Sequence, residues 1–408
     1  MDPLSYLFSL EQFGIKFGLD NIRALLARLG NPQQAFQSIH IAGTNGKGSV
    51  TAMVDTVLRR AGHTSARFTS PHLVDLSERF VINGLPVGAA DMRRAAEDIQ
   101  HAIESSVADG TLSARPTFFE ANTAMAFDLF RRAGVEFGVI EVGLGGRLDS
   151  TNVVEPIVTA ITSIDFDHQQ YLGNTLADIA FEKAGIIKPG VPVIVGEIAP
   201  EPFAVIERVA REQGAEVIRS ESAARDYGPI RLGLRGAHQA GNARVAMRVL
   251  ETLERLGVAI GAAAIVDGLT NVTWPGRLEH RRLPGGGELI LDAAHNPAGA
   301  KALASYLRAL GGPTPALVFG AMRDKDVDGM LALLLPAVGR VVVTRPSNPR
   351  AADPEELARR IRAIAPSLTT DVVPAPAEAI AEAARRSPVV VVAGSIFLLG
   401  DVMQEIGA

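Results

Sequence analysis

The chain has 408 residues, room for two or three domains, and its 47% hydrophobic and 21% charged residues give the balance of a folded globular protein. A net charge of −5 excludes a chain-wide basic surface for wrapping nucleic acid. The absence of cysteine excludes disulfides, thiolate metal centres and a cysteine nucleophile, and it suits a reducing compartment.

In chain order, the opening MDPLSYLFSLEQFG lacks the basic start and unbroken apolar stretch of a secretion signal. Short apolar runs then alternate with helical patterns: SIHIAG, the helical VTAMVDTVLRRAG, FGVIEVG, PIVTAITSI and VPVIVGE. Continuous apolar strands separated by helices indicate a parallel sheet covered on both faces. The pattern restarts near residue 288 with ELILDAA, ALVFGAM, RVVVTRP and PVVVVAG. Between the blocks lies WPGRLEHRRLPGGGE, whose two prolines and four glycines read as a linker. The expected architecture is α/β: a large N-terminal P-loop domain over 1–274, with a mainly parallel sheet flanked by helices, and a smaller Rossmann-like domain over 275–408. The uncharged run from Ser387 to Gly400 falls short of the ~20 residues that span a bilayer. It reads as a buried strand, and a cytoplasmic protein without a membrane segment is expected.

The segment Ser38–Ser49, SIHIAGTNGKGS, carries the most chemistry. A strand enters a glycine-rich turn and a helix leaves it, so backbone N–H groups and the helix dipole converge on an anion. Gly46, Lys47, Gly48 and Ser49 are the candidate ATP contacts, with Lys47 reaching the β/γ-phosphates and Ser49 near a magnesium ion. The strict phosphate-loop pattern is not met: Ile41 stands where its first glycine belongs, and Gly48 follows the lysine. Glu141 ends an apolar strand and His168 follows another, at the strand ends where ligands of a parallel sheet gather. Thr117 and Glu120 also fit a capping box. Asn296–Pro297 fits an N-cap with proline at the first helical position.

HIAGTNGKGSV resembles the phosphate loop of the Mur ligase superfamily. TSPHLVDLSERFVING, TFFEANTAMAF, EVGLGGRLDSTNVV, SIDFDHQQYLGNTLADIAFEKAGIIKPG, WPGRLE and DAAHNPAGA follow in the order of folylpolyglutamate synthase/dihydrofolate synthase. The resemblance implies magnesium ligands at Ser70, Glu141 and His168, and two bound magnesium ions. It also implies a carbamylated Lys183 in place of an ordinary helix-end cation. It implies ATP contacts from Asn242, Arg277 and Asp292. Pterin contacts would come from Thr117, Phe118, Phe119, Glu120, Leu148, Asp149 and Ser150, and His295 and Ser395 would face L-glutamate. The implied activity joins L-glutamate to dihydropteroate or to the γ-carboxylate of folates through an acyl phosphate. Lys47, Lys183 and His168 are then the catalytic group, in a monomer whose partners are small molecules. Two rivals stand beside it. A cell-wall precursor ligase would need a nucleotide-sugar domain ahead of the loop, where 42 residues precede Gly43. A nucleotide-binding regulator would leave Glu141, His168 and the second domain without a purpose.

Overall fold

The computed structural model describes every residue except 1, 15, 223, 224, 284, 285 and 408. It holds two mainly parallel sheets flanked by helices. The first has eight strands: β1 Gln37–Ala42, β2 Ser65–Phe68, β3 Phe80–Ile82, β4 Leu85–Pro86, β5 Phe137–Glu141, β6 Pro156–Ile161, β7 Val193–Val195 and β8 Val217–Arg219. Their order is β4-β3-β2-β5-β1-β6-β7-β8, with β3 and β4 antiparallel at one edge. The second comprises β9 Glu279–Arg282, β10 Glu288–Leu291, β11 Ala316–Phe319, β12 Arg340–Val343, β13 Thr369–Val372 and β14 Val389–Ala393. Its order is β13-β12-β11-β14-β10-β9, and β9 alone runs antiparallel to its neighbour.

Burial explains why the apolar runs became central strands. Every residue of β5 and of β14 is buried, as expected where helices cover both faces of a parallel sheet. The run from Ser387 therefore enters β14, between β11 and β10. Among the described residues no helix is long and apolar enough to cross a membrane.

The chain divides into two compact units. One comprises Met1–Ile164, Gln170–Gly233 and Gly241–Val272; the other comprises Asp165–Gln169, Leu234–Ala240 and Thr273–Ala408. Two short segments thus join the C-terminal unit from well upstream, which a single cut in the sequence cannot express. The linker reading of WPGRLEHRRLPGGGE needs correction, because Glu279–Arg282 within it is the edge strand β9, paired from Glu279↔Leu291 to Arg282↔Glu288. An unbroken polar run conceals such a strand, since an edge strand is held by pairing on one side and none of these four residues is fully buried. Pro284 and Gly285 of that stretch lie outside the described residues.

Candidate functional site

In the larger unit, β1 delivers the chain into Gly43–Gly46, and the helix Lys47–Arg60 leaves it. Gly46 has φ +86°, and a Cβ there would lie 2.3 Å from Asn242 Oδ1. Gly43 has φ +149°, and its Cβ would overlap Thr162 Oγ1 at 1.9 Å. Only glycine fits either place. The loop is tied to the end of β6: Thr44 N donates to Ser163 O at 2.9 Å, Asn45 N to Ser163 Oγ at 3.0 Å, and Thr162 Oγ1 to Asn45 O at 2.6 Å. Lys47 Nζ donates to Gly43 O at 3.0 Å. Lys183, on the helix Leu176–Ala184, donates to the same oxygen at 3.0 Å. Lys183 is 4% exposed, so it is not the solvated helix-end cation its position suggests. Two ammonium groups and a helix N-terminus therefore meet on one short loop, the electrostatic setting of an anion site. Gly48 and Ser49 form the first turn of that helix, and Ser49 is buried.

Glu141, the last residue of β5, is 5% exposed, and its Oε2 accepts from Ser70 N at 3.3 Å. A buried carboxylate beside a serine is an oxygen donor set of the kind magnesium takes, so these two residues fit the cation. The same loop holds a buried arginine: Arg79 Nε donates to His72 Nδ1 at 2.9 Å, and its guanidinium lies 5.3 Å from the Phe118 ring centroid. Burial pushes the Arg79 guanidinium down to about 10. Burial, with Arg79 beside it, pushes His72 down to about 4, leaving a neutral acceptor.

Thr117 and Glu120 form the capping box: Thr117 N donates to Glu120 Oε2 at 2.7 Å, and Glu120 N to Thr117 Oγ1 at 3.2 Å. Phe118 stacks on Phe8 with centroids 5.5 Å apart, while Phe119 packs where a Gly143 Cβ would stand. Asp149 accepts from Leu144 N at 2.8 Å and Thr151 N at 3.0 Å, and burial raises its carboxyl pKa despite those bonds. Both carboxylates thus shape their own segments. Ser150 is buried and Leu148 half-buried beside Asp149.

In the smaller unit, Asp292 follows β10 and accepts from Leu278 N and Ala294 N, each at 3.0 Å. Burial raises its pKa, and Arg277 opposes that shift. Ser395 caps the helix Ile396–Glu405 through Phe397 N. Asn296 caps the helix Pro297–Leu310, its Oδ1 accepting from Gly299 N at 2.8 Å. Asn296 Nδ2 reaches Asp167 Oδ2 at 3.1 Å, and His295 Nε2 lies 3.6 Å from that oxygen. His168 follows Asp167 with φ +53°. Lys325 Nζ donates to Asp167 Oδ1 at 2.6 Å and lies 3.2 Å from His168 Nε2. Burial raises the Asp167 carboxyl pKa, but His295 close by and the charges of Lys325 and His168 outweigh it and hold the group far below the ordinary range.

Residues 41–197 match the Mur ligase middle domain, and 276–396 match the Mur ligase glutamate ligase domain. The chain is 37% identical over 358 residues to the dihydrofolate synthase/folylpolyglutamate synthase of Bacillus subtilis, covering 82% of each. The chain belongs to the dihydrofolate synthase/folylpolyglutamate synthase family of Mur ligases. A Mycobacterium tuberculosis folylpolyglutamate synthase complexed with ADP and AMPPCP superposes with a TM-score of 0.91 at 34% identity, covering 100% of this chain and 99% of that one. A bifunctional folylpolyglutamate synthase/dihydrofolate synthase with Mn, AMPPNP and L-glutamate bound gives 0.87 at 29% identity, covering 100% and 98%.

Within this ligase, the tertiary structure gathers the predicted residues into separate groups. Gly46, Lys47, Lys183 and Asn242 meet at the loop Gly43–Gly46, and Ser70 meets Glu141. His168 and His295 meet in the smaller unit through Asp167. Sequence reasoning missed Lys325, Arg79 and the Thr162–Ser163 tie. For Lys325 a signal existed: Asp324-Lys325-Asp326 follows the apolar strand β11, at the end of the sheet where ligands bind.

Proposed function

We propose that this ligase joins L-glutamate to dihydropteroate, to folates, or to both, with ATP as co-substrate. The acceptor's carboxylate oxygen attacks the γ-phosphorus, ADP leaves, and an acyl phosphate forms. The glutamate amine then attacks the acyl carbon, phosphate leaves with the C–O bond electrons, and the amine loses its proton. Lys47 neutralises the β/γ-phosphate charge and Arg277 a second phosphate contact, so the protein's contribution is positioning and electrostatics. Gly46, Gly48 and Ser49 present the loop backbone and hydroxyl to the phosphates. Asn242 and Asp292 hold the rest of the nucleotide. The pterin lies along Phe118, Phe119, Leu148 and Ser150, on segments shaped by Thr117, Glu120 and Asp149. His295 and Ser395 serve the glutamate.

Ser70, Glu141 and His168 would hold divalent cations, two in number, which supply charge neutralisation at phosphate oxygens. One observation carries the reading: Lys47 and Lys183 both donate to Gly43 O, each at 3.0 Å, in a loop built for an anion. The crowding of two ammonium groups on one oxygen also supports carbamylation of Lys183, which would leave Lys47 and the N-terminus of the helix Lys47–Arg60 as the positive groups facing the anion. The free amine and CO₂ would give a carbamate and a proton, replacing one of two crowded cations with an anion. The remaining carbamate N–H can still donate to Gly43 O. A monomer in the cytoplasm, with no nucleic-acid partner, completes the proposal; the net charge of −5 supports the last point. The test is phosphate release by the pure protein with ATP, magnesium and L-glutamate, comparing dihydropteroate with tetrahydrofolate. Release that ignores both acceptors refutes the ligase reading.

A further inference from the structure

We propose that the guanidinium of Arg79 clamps the reacting carboxylate of the acceptor. The inference rests on the proposed ligase reaction, in which that carboxylate attacks ATP. Arg79 is 7% exposed, yet its guanidinium has a single hydrogen bond among the described residues, from Nε to His72 Nδ1 at 2.9 Å. No carboxylate among those residues comes within ion-pair distance of it; Glu11, Glu141 and Glu78 attract it from farther away. Glu78 is engaged elsewhere, its oxygens accepting from the amides of Leu73, Val74 and Asp75 at 2.7, 2.8 and 2.8 Å. A buried charge is ordinarily paired, and here the donors on both terminal nitrogens remain unspent. Neither nitrogen is sealed from solvent, so a ligand can reach them.

The sheet sets the place of this group. β2 runs parallel to β5, with Phe68 opposite Ile140, and antiparallel to β3, with Phe68 opposite Phe80. Ser70, Glu141 and Arg79 therefore lie at one end of the sheet, where Thr69 N donates to Arg79 O at 3.2 Å. The guanidinium is 5.3 Å from the ring centroid of Phe118, which is half-buried. Arg79 thus borders both the segment proposed to carry the pterin and the oxygen ligands proposed to carry a cation. An arginine only donates, so His72 Nδ1 accepts and fixes the edge of the fork that bears Nε. The edge formed by Nη1 and Nη2 is left, and its two N–H groups match the two oxygens of a carboxylate.

The experiment titrates dihydropteroate and tetrahydrofolate into the full chain by calorimetry, with magnesium and AMPPNP present. Each is compared with an analogue carrying hydrogen in place of the reacting carboxylate. Whichever acceptor supports phosphate release, the wild type should bind it about 10- to 100-fold more tightly than its analogue, as expected for hydrogen bonds between charged groups. Arg79→Met should erase that difference: the acceptor weakens by the same factor and the analogue binds as before. In turnover, its KM for the acceptor should rise while the KM for ATP holds. Arg79→Lys keeps the charge without the fork and should retain only a small part of the discrimination, and it carries the comparison if Arg79→Met does not fold. His72→Asn, whose Oδ1 can still accept, should stay near wild type, whereas His72→Leu should lose part of the discrimination. A purely structural role would weaken acceptor and analogue alike, and that result overturns the proposal. So does a wild type that binds the two equally, or an Arg79→Lys that separates them as well as wild type does. Discrimination unchanged by Arg79→Met sinks the clamp alone. A wild type that releases no phosphate with either acceptor sinks the ligase reading and the clamp with it.

Discussion

Replacing Gly46 with alanine probes the phosphate loop without touching a charge. The new Cβ meets two obstacles: a backbone at φ +86°, and Asn242 Oδ1 only 2.3 Å away. The left-handed conformation costs an L-residue about 1–2 kcal/mol. At about 2–4 °C per kcal/mol for a domain of this size, Tm should fall by about 2–8 °C. Asn242 is a side-chain end and can swing away, so the overlap should cost less in stability than in function. The loop and Asn242 must both shift, and losing one hydrogen bond to a charged phosphate, worth about 1.5–3 kcal/mol, should raise the KM for ATP about 10- to 100-fold. Differential scanning calorimetry and initial-rate kinetics measure both quantities. The double variant Gly46→Ala/Asn242→Ala separates the terms, since it removes the overlap but leaves the backbone strain. It should recover part of the lost Tm and none of the ATP affinity. A Gly46→Ala protein with wild-type Tm and KM would refute the reasoning.

Lys47→Ala should lower turnover about 10²–10³-fold with the fold intact by circular dichroism, the usual result of removing a charged transition-state contact; near-normal kcat would argue against the role. Lys183→Arg should be nearly inactive, because arginine stays protonated and cannot be carbamylated, whereas acetate should partly restore Lys183→Ala. Incorporation of ¹³C from bicarbonate at Lys183 tests the modification directly, and a fully active Lys183→Arg would show that a cation suffices. Burial, with Lys188 nearby, depresses His40 from 6.5 to about 3. The unfolded chain therefore binds the extra proton first, and this stability is complete above pH 6.5 and lost as pH falls toward 3. Tm measured across that window should fall less steeply for His40→Asn than for the wild type; parallel curves would count against the assignment.

What the sequence determined by itself was whatever depends on near neighbours. The valine runs of β12 and β14 specify buried parallel strands, because no other common element buries both faces of so short a segment. The turn at Gly43–Gly46 needs positive φ, and the spacing of glycine, lysine and serine expresses that need locally. The caps at Thr117 and Asn296 were legible because an N-cap and its partner lie three residues apart.

Tertiary structure decided whatever depends on distant chain. Lys183 reads as a surface cation in its helix, and only folding carries it to Gly43, 140 residues away. The carboxylate of Asp149 accepts from the amides of Leu144 and Thr151, bonds that form only once its loop is folded. The strand β9 lacks an apolar signature because an edge strand is stabilised by pairing on one side, which its sequence does not record. Lys325 meets Asp167 across 158 positions, and no local pattern encodes that pairing. Local sequence sets backbone conformation through short-range sterics and hydrogen bonds. Convergence of charged side chains is set by the packing of helices and sheets, which brings together residues that share no sequence neighbourhood.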